Sequence, residues 1–175
     1  MAVNGVQSLM RKFDKLGSMD PIVAKAVKKQ AEVVRGVAVK LCPANHGELR
    51  GSIKTMVEQD AGATIGSVYT NSEHAAFVEF GTGPAGQESH NGISPNVNVV
   101  YTQEPWWFPG ENVDPSDADR YHWPKSEYEG KTFYYTNGQP AQPFMYPALK
   151  TMEKHVVAGL SADLQAGIKK VGGSK

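Results

Sequence analysis

The chain has 175 residues, 40% of them apolar and 21% charged, with eighteen Lys/Arg balancing eighteen Asp/Glu. A single domain of this length buries roughly 70% of its unfolded surface, so neither wholesale disorder nor a disulfide-held miniature scaffold is expected. The lone Cys42 could not close an internal bridge. A zero net charge argues against a dedicated nucleic-acid binder, and no apolar run reaches the ~18 residues of a membrane span.

The first predicted element is an amphipathic helix carried by Val6, Leu9, Met10, Phe13 and Leu16, a helical face closed by Gly17 rather than a signal peptide. Asp20-Pro21 then reads as a cap and first helical position. Val23, Val27, Val34, Ala38 and Leu41 continue as one stripe, which must stop before Pro43. Leu49–Gln59 and Ala63–Thr70 alternate as an antiparallel strand pair turning near Gly62. Glu73–Phe80 suits a short helix ended by Gly81 and Gly83. Residues 84–119 are rich in turn signals and too long for an idle loop. Short strands at Val97–Thr102 and Lys131–Thr136 are expected to pin them, with a turn at Asn137-Gly138. From Pro147, the positions Leu149, Met152, Val156, Leu160, Leu164 and Ile168 form a helical seam. The order predicts an α+β fold in one domain, residues 1–175: an antiparallel sheet packed against two long helices, 20–42 and 147–170, with the N-terminal amphipathic helix and a long aromatic-rich insertion at 84–141.

Charge is unevenly placed. Residues 1–60 carry ten basic against six acidic side chains, whereas residues 84–141 carry three basic, eight acidic and ten of the sixteen aromatics. That acidity disfavours single-stranded nucleic acid, because base stacking normally accompanies a positive groove. The rings could instead form a satellite core, a protein interface or a carbohydrate platform.

The five histidines lack metal-ligand spacing, one cysteine makes no thiolate site, and no serine sits in a nucleophile elbow. No catalytic residue, cofactor site or metal site is therefore expected. Gly81-Thr82-Gly83 reads as a turn, since no phosphate-loop lysine follows. Cys42 lies at a helix C-terminus, where the dipole opposes a thiolate, so it is read as buried and structural.

Three stretches carry a resemblance. Pro43-Ala44-Asn45-His46-Gly47-Glu48-Leu49-Arg50-Gly51-Ser52-Ile53 is similar to a P-x-x-x-G-x-L-R-x-S-I signature. His74–Thr82, containing Glu79, Phe80, Gly81 and Thr82, is similar to Y-A-x-x-V-E-F-G-T. Gln142–Leu149, with Pro143, Phe144 and Pro147, is similar to P-F-x-x-P-A-L. Together, in this order, they resemble the tail-completion or head–tail joining (neck) proteins of long-tailed bacteriophages. His46 and His74 depart from the usual Thr and Tyr, and the insertion resembles one found in a subset.

The resemblance implies a non-enzymatic virion protein of the neck or tail, assembled in the host cytoplasm. It would form a homo-oligomeric ring, sixfold in the family pattern, capping the tail tube and meeting the head connector. Double-stranded DNA would pass transiently and non-specifically through its bore. On this reading Gly47 turns helix into sheet, Leu49 and Ile53 face the core, and Arg50 pairs with Glu79. Trp106, Trp107, Phe108, Tyr121, Trp123, Tyr134 and Tyr135 are interface candidates. Glu104, Glu111, Asp114, Asp117, Asp119, Glu127 and Glu129 are candidates for the lumen or the next ring, since a conduit should hold phosphate weakly. The alternative is an independent carbohydrate- or peptide-binding module built on the insertion.

Overall fold

The computed structural model describes residues 19–43, 47–60 and 62–172. The predicted helix over Val6–Leu16 lies outside them. The chain divides into two compact units, residues 1–71 with 147–175, and residues 72–146. Helices and antiparallel strands alternate through both, an α+β protein as predicted.

The first unit starts with α1, Met19–Leu41, at the position that Asp20-Pro21 signals. Its buried stripe is narrower than the valine pattern suggested: Ala26, Gln30, Ala31, Val34 and Ala38 are the most enclosed, with Cys42 just beyond. Leu41, expected in the stripe, is 46% exposed. Small residues win this face because a sheet comes very close to it.

That sheet is the hairpin β1, Lys54–Asp60, and β2, Ala63–Tyr69, paired without a bulge from Lys54↔Tyr69 to Asp60↔Ala63. Its inner face carries Thr55 and Val57 opposite Val68 and Gly66. A Cβ on Gly66 would sit 2.6 Å from Val27 Cγ1, so only glycine allows α1 to lie this close. Period-2 alternation then turns Met56, Ile65 and Tyr69 outward, where all three are exposed.

Residues 49–52 were expected to open the first strand. They instead complete α2, Gly47–Ser52, and the strand begins at Lys54. Leu49 and Ile53 are buried as predicted.

The long helix α6, Met145–Gly172, runs beside α1 in its 147–172 portion. Lys29 Nζ and Gln30 Nε2 both donate to the Asp163 carboxylate, at 2.6 and 2.9 Å. Two glycines set the approach: a Cβ on Gly159 would meet the Gln30 amide, and one on Gly167 would meet Ile22. The facing stripe therefore includes Gly159, Asp163 and Gly167, which rotates the predicted leucine seam. Leu149 and Ile168 end up exposed, while Met152, Val156, Leu160 and Leu164 are half-buried.

The second unit holds α3, Ala75–Phe80; α4, Gly83–Glu88; β3, Trp106–Pro109; a 3-10 turn, Gly110–Asn112; α5, Pro115–Arg120; β4, Lys125–Tyr128; and β5, Lys131–Thr136. The strands form an antiparallel sheet in the order β3-β5-β4. Of the two strands expected here, 131–136 is present. Residues 97–102 join no ladder, whereas β3 and β4 were unforeseen. Val78, Ile93, Ala118, Tyr134 and Phe144 are the buried apolar residues of this unit.

Candidate functional site

The first signature sits at the C-terminal end of α1. Arg50 projects from α2, and its Nε donates to the Cys42 carbonyl at 2.8 Å; Nη2 reaches the same oxygen. A guanidinium on carbonyls released by the last helical turn satisfies an orphan acceptor and complements the helix dipole. Ser52 Oγ donates to Leu49 O at 2.8 Å and lies 2.6 Å from Thr70 Oγ1, tying α2 to the end of the hairpin. Gly47 begins α2, and a Cβ there would strike no neighbour; the residues 44–46 that lead into the predicted turn lie outside the described residues.

The second and third signatures meet within the second unit. Glu79, only 6% exposed, accepts from three successive backbone N–H groups: Phe144 and Met145 on Oε2 at 2.7 and 2.9 Å, and Tyr146 on Oε1 at 3.0 Å. Those are the free donors at the start of α6, so the carboxylate caps the last helix. Arg50 and Glu79, expected as a pair, each bond backbone groups inside their own unit. Both charges act on helix ends, and each has the sign that its end favours.

Around Glu79 the backbone is packed to glycine tolerance. Gly81, at φ 72°, ends α3 by donating to Phe77 O. Thr82 N donates to Gln139 O at 2.9 Å, and Gln139 N returns a bond to Thr82 Oγ1 at 3.0 Å. A Cβ on Gly138 (φ 91°) would lie 1.9 Å from Thr82 O. The Asn137-Gly138 turn read from sequence thus touches the second signature directly. Pro143 precedes the fully buried Phe144, and Pro147 lies in the first turn of α6, where a missing N–H costs nothing. A recess of about 280 Å³ beside Glu79 is lined mainly by apolar groups of Ala75, Phe80, Val97, Phe144 and Met145.

The aromatic candidates divide by sheet face. Phe108 and Tyr134 pair across β3 and β5, and Trp123 packs on both, edge-on to Phe108 at 5.1 Å. Tyr121 stacks on Trp123 at 5.2 Å, and Trp106 lies against Gly83. Phe108, Trp123 and Tyr134 make the satellite core, with Tyr134 8% exposed, while Tyr121 lies at its rim, 48% exposed. On the opposite face Trp107 packs against Tyr135 at 5.1 Å, yet stays 51% exposed. Phe133 and Tyr128 share that face and, with Trp107 and Ser126, line a shallow recess of about 240 Å³. The single-letter run W-W-F-P holds this division in its alternation, but only once β3 is recognised as a strand.

All seven candidate carboxylates are exposed. Two have local tasks: Glu111 pairs with Lys131 at 3.2 Å, and Asp114 caps α5 through Ser116 N at 2.8 Å. The Ser116 hydroxyl and N–H hold the Asp114 carboxyl below its ordinary range. Sequence reasoning missed Tyr101, whose hydroxyl donates to Phe80 O at 2.8 Å and lies 3.0 Å from His90 Nδ1. Burial pushes its phenol up, so it remains a donor. Among the described residues no cluster of His, Cys, Asp and Glu is placed to hold a metal, and no helix is long and apolar enough to cross a membrane.

Residues 7–81 match the model of a phage protein family described as "Bacteriophage HK97-gp10, putative tail-component". No curated protein and no solved structure matches the chain. The matched stretch contains α1, α2, the hairpin and α3, and with them the first signature and all of the second but Thr82. It agrees with the resemblance read from those signatures and points to a structural role in the phage tail.

Proposed function

We propose that this chain closes a ring at the head-proximal end of the tail and joins it to the head connector, leaving a bore for DNA. The observation that carries the reading is the similarity of residues 7–81 to a tail-component family. Both helix ends fixed by signature charges fit a rigid collar, since a ring closes only if every copy presents one geometry. The exposed carboxylates of residues 104–129 suit surfaces past which phosphate must slide. Partners are further copies of the chain, the tail tube and the connector. Electron microscopy of particles lacking this protein tests the role. Filled heads beside finished, unattached tails are expected; intact infectious virions would eliminate it.

A second reading has its own observation: the outward aromatic face of β3 and β5, with Trp107 half exposed. Such a platform suits a sugar ring or an apolar peptide side chain. A glycan or peptide ligand that quenches tryptophan emission, and fails to do so after Trp107→Ala, would favour this module.

A further inference from the structure

Two features of the chain are incomplete in complementary ways. The first is the outer edge of β2, which among the described residues pairs with β1 alone. Natural sheets guard edges with charge, proline or a bulge, but Ala63–Tyr69 has no charge, no proline and an uninterrupted register. Its inner face lies on α1, while Ile65, 46% exposed, and Tyr69 stand on the open outer face.

The second is the strap between Pro95 and Pro105. Its sequence Val97-Asn98-Val99-Val100-Tyr101-Thr102 has strand composition and alternation. Ile93 is buried at one end, and Tyr101 is anchored by Phe80 O at the other. Residues 95–98 are all exposed, and exposure alternates only from there: Val99 is half-buried, Val100 is 90% exposed, Tyr101 is half-buried and Thr102 exposed. Among the described residues the strap joins no ladder; its one backbone–backbone bond runs from Val97 N to Ser94 O. It is thus strand-like in composition, and apart from Asn96 N, Val97 N and the Tyr101 carbonyl its backbone groups hold no bond among the described residues.

We propose that the strap of one copy adds as a third strand to the outer edge of β2 in the next copy. A polar, ladder-capable edge is satisfied by backbone hydrogen bonds, and Val100 covers the outer face beside Ile65 and Tyr69. The contact joins two different surfaces, so it is heterologous and propagates from copy to copy until the ring closes. The inference rests on the ring reading above and names its interface.

The test uses tails assembled with full-length chains bearing single cysteines. Val100→Cys is mixed with Ile65→Cys, Ser67→Cys or Tyr69→Cys, three positions on one face of β2 that sample register. The native Cys42 is buried and stays out of reach. Oxidation is expected to give disulfide-linked dimers in at least one mixture and in no single variant, because bridged Cα atoms must lie within about 7 Å. A chain carrying both cysteines should give a ladder of multimers. Tails that contain the protein but give no mixed dimer at any of the three positions overturn the interface and leave the ring standing. Self-crosslinking of an edge variant alone also overturns it, since β2 would then pair with its own copy. Tails that never incorporate the native chain overturn both readings. As a second check, Val100→Asp should leave the helical signal of the free chain unchanged while lowering its incorporation into tails at least tenfold.

Discussion

Arg50 and Glu79 place opposite charges on helix ends, and that choice of target makes their substitution effects specific. Glu79→Ala would leave three donors at the start of α6 without an acceptor in a buried place. Such orphaning costs about 1–3 kcal/mol. Amide exchange at Phe144, Met145 and Tyr146 should accelerate first, and Glu79→Gln, which keeps one carbonyl oxygen, should fall between. Unchanged exchange at those three amides would refute the capping role. Arg50→Lys should behave as a loss rather than a conservative change, because one ammonium cannot reproduce two guanidinium donors on the Cys42 carbonyl. Gly138→Ala is the sharpest case: both its φ of 91° and the 1.9 Å approach to Thr82 O exclude a side chain. Its cost should reach or exceed the ~1–3 kcal/mol typical of overpacking. Lowered thermal stability read by tryptophan emission checks this, since all three tryptophans lie in residues 72–146.

Among elements, α1 is held from two sides by carboxylates, and this sets a pH dependence. The Thr55 hydroxyl, then Arg35, holds the Glu32 carboxyl below its ordinary 4.5. Lys29, then Gln30, holds that of Asp163 below its ordinary 3.8. A folded-state value below the unfolded one contributes stability that is complete above the unfolded value and lost as pH falls through the folded one. The α1–hairpin and α1–α6 pairings should therefore be insensitive to pH from 7 down to about 5 and weaken below 4. Helical circular dichroism during thermal melts follows this, and Asp163→Asn should flatten the acid limb while lowering stability at neutral pH. A wild-type melting temperature that does not fall below pH 4 would contradict the assignment. The same elements show what a sequence discloses. The long helix α1 was legible because about six turns of periodicity outvote any local accident. The inner face of β2 was not, because the decisive residue is Gly66, and a missing side chain leaves no hydrophobic mark. Residues 49–52 read as strand because the alternation of Ile53, Thr55 and Val57 extends back to them; the Arg50–Cys42 and Ser52–Leu49 bonds instead hold them in α2. The capping by Glu79 was hidden for another reason: its partners are backbone groups 65 to 67 positions away, which side-chain chemistry cannot announce.

For the molecule as a whole, neutrality conceals a division of labour: the ends are basic and residues 84–141 carry eight acidic side chains against three basic ones. If carboxylates of that segment face the bore, their repulsion keeps passing DNA from lingering. Glu104, Asp119 and Glu127 are exposed and hold no cap or ion pair among the described residues, so they can be changed without dismantling the fold. Replacing all three with lysine adds three cations per copy, multiplied around the ring. Each phosphate contact so created gives affinity a salt dependence with a slope of about −0.9 per contact. The triple variant should assemble into tailed particles, yet release DNA more slowly at low salt, with wild-type rates restored as ionic strength rises. Triggered ejection followed by a DNA-binding dye measures both rates, and unchanged tryptophan emission of the free chain guards against misfolding. Ejection as fast as wild type at low salt, from particles that contain the variant, would place these carboxylates outside the bore. The acidity of the segment would then have to serve contact with a neighbouring ring instead, where the same substitutions should lower attachment of heads to tails.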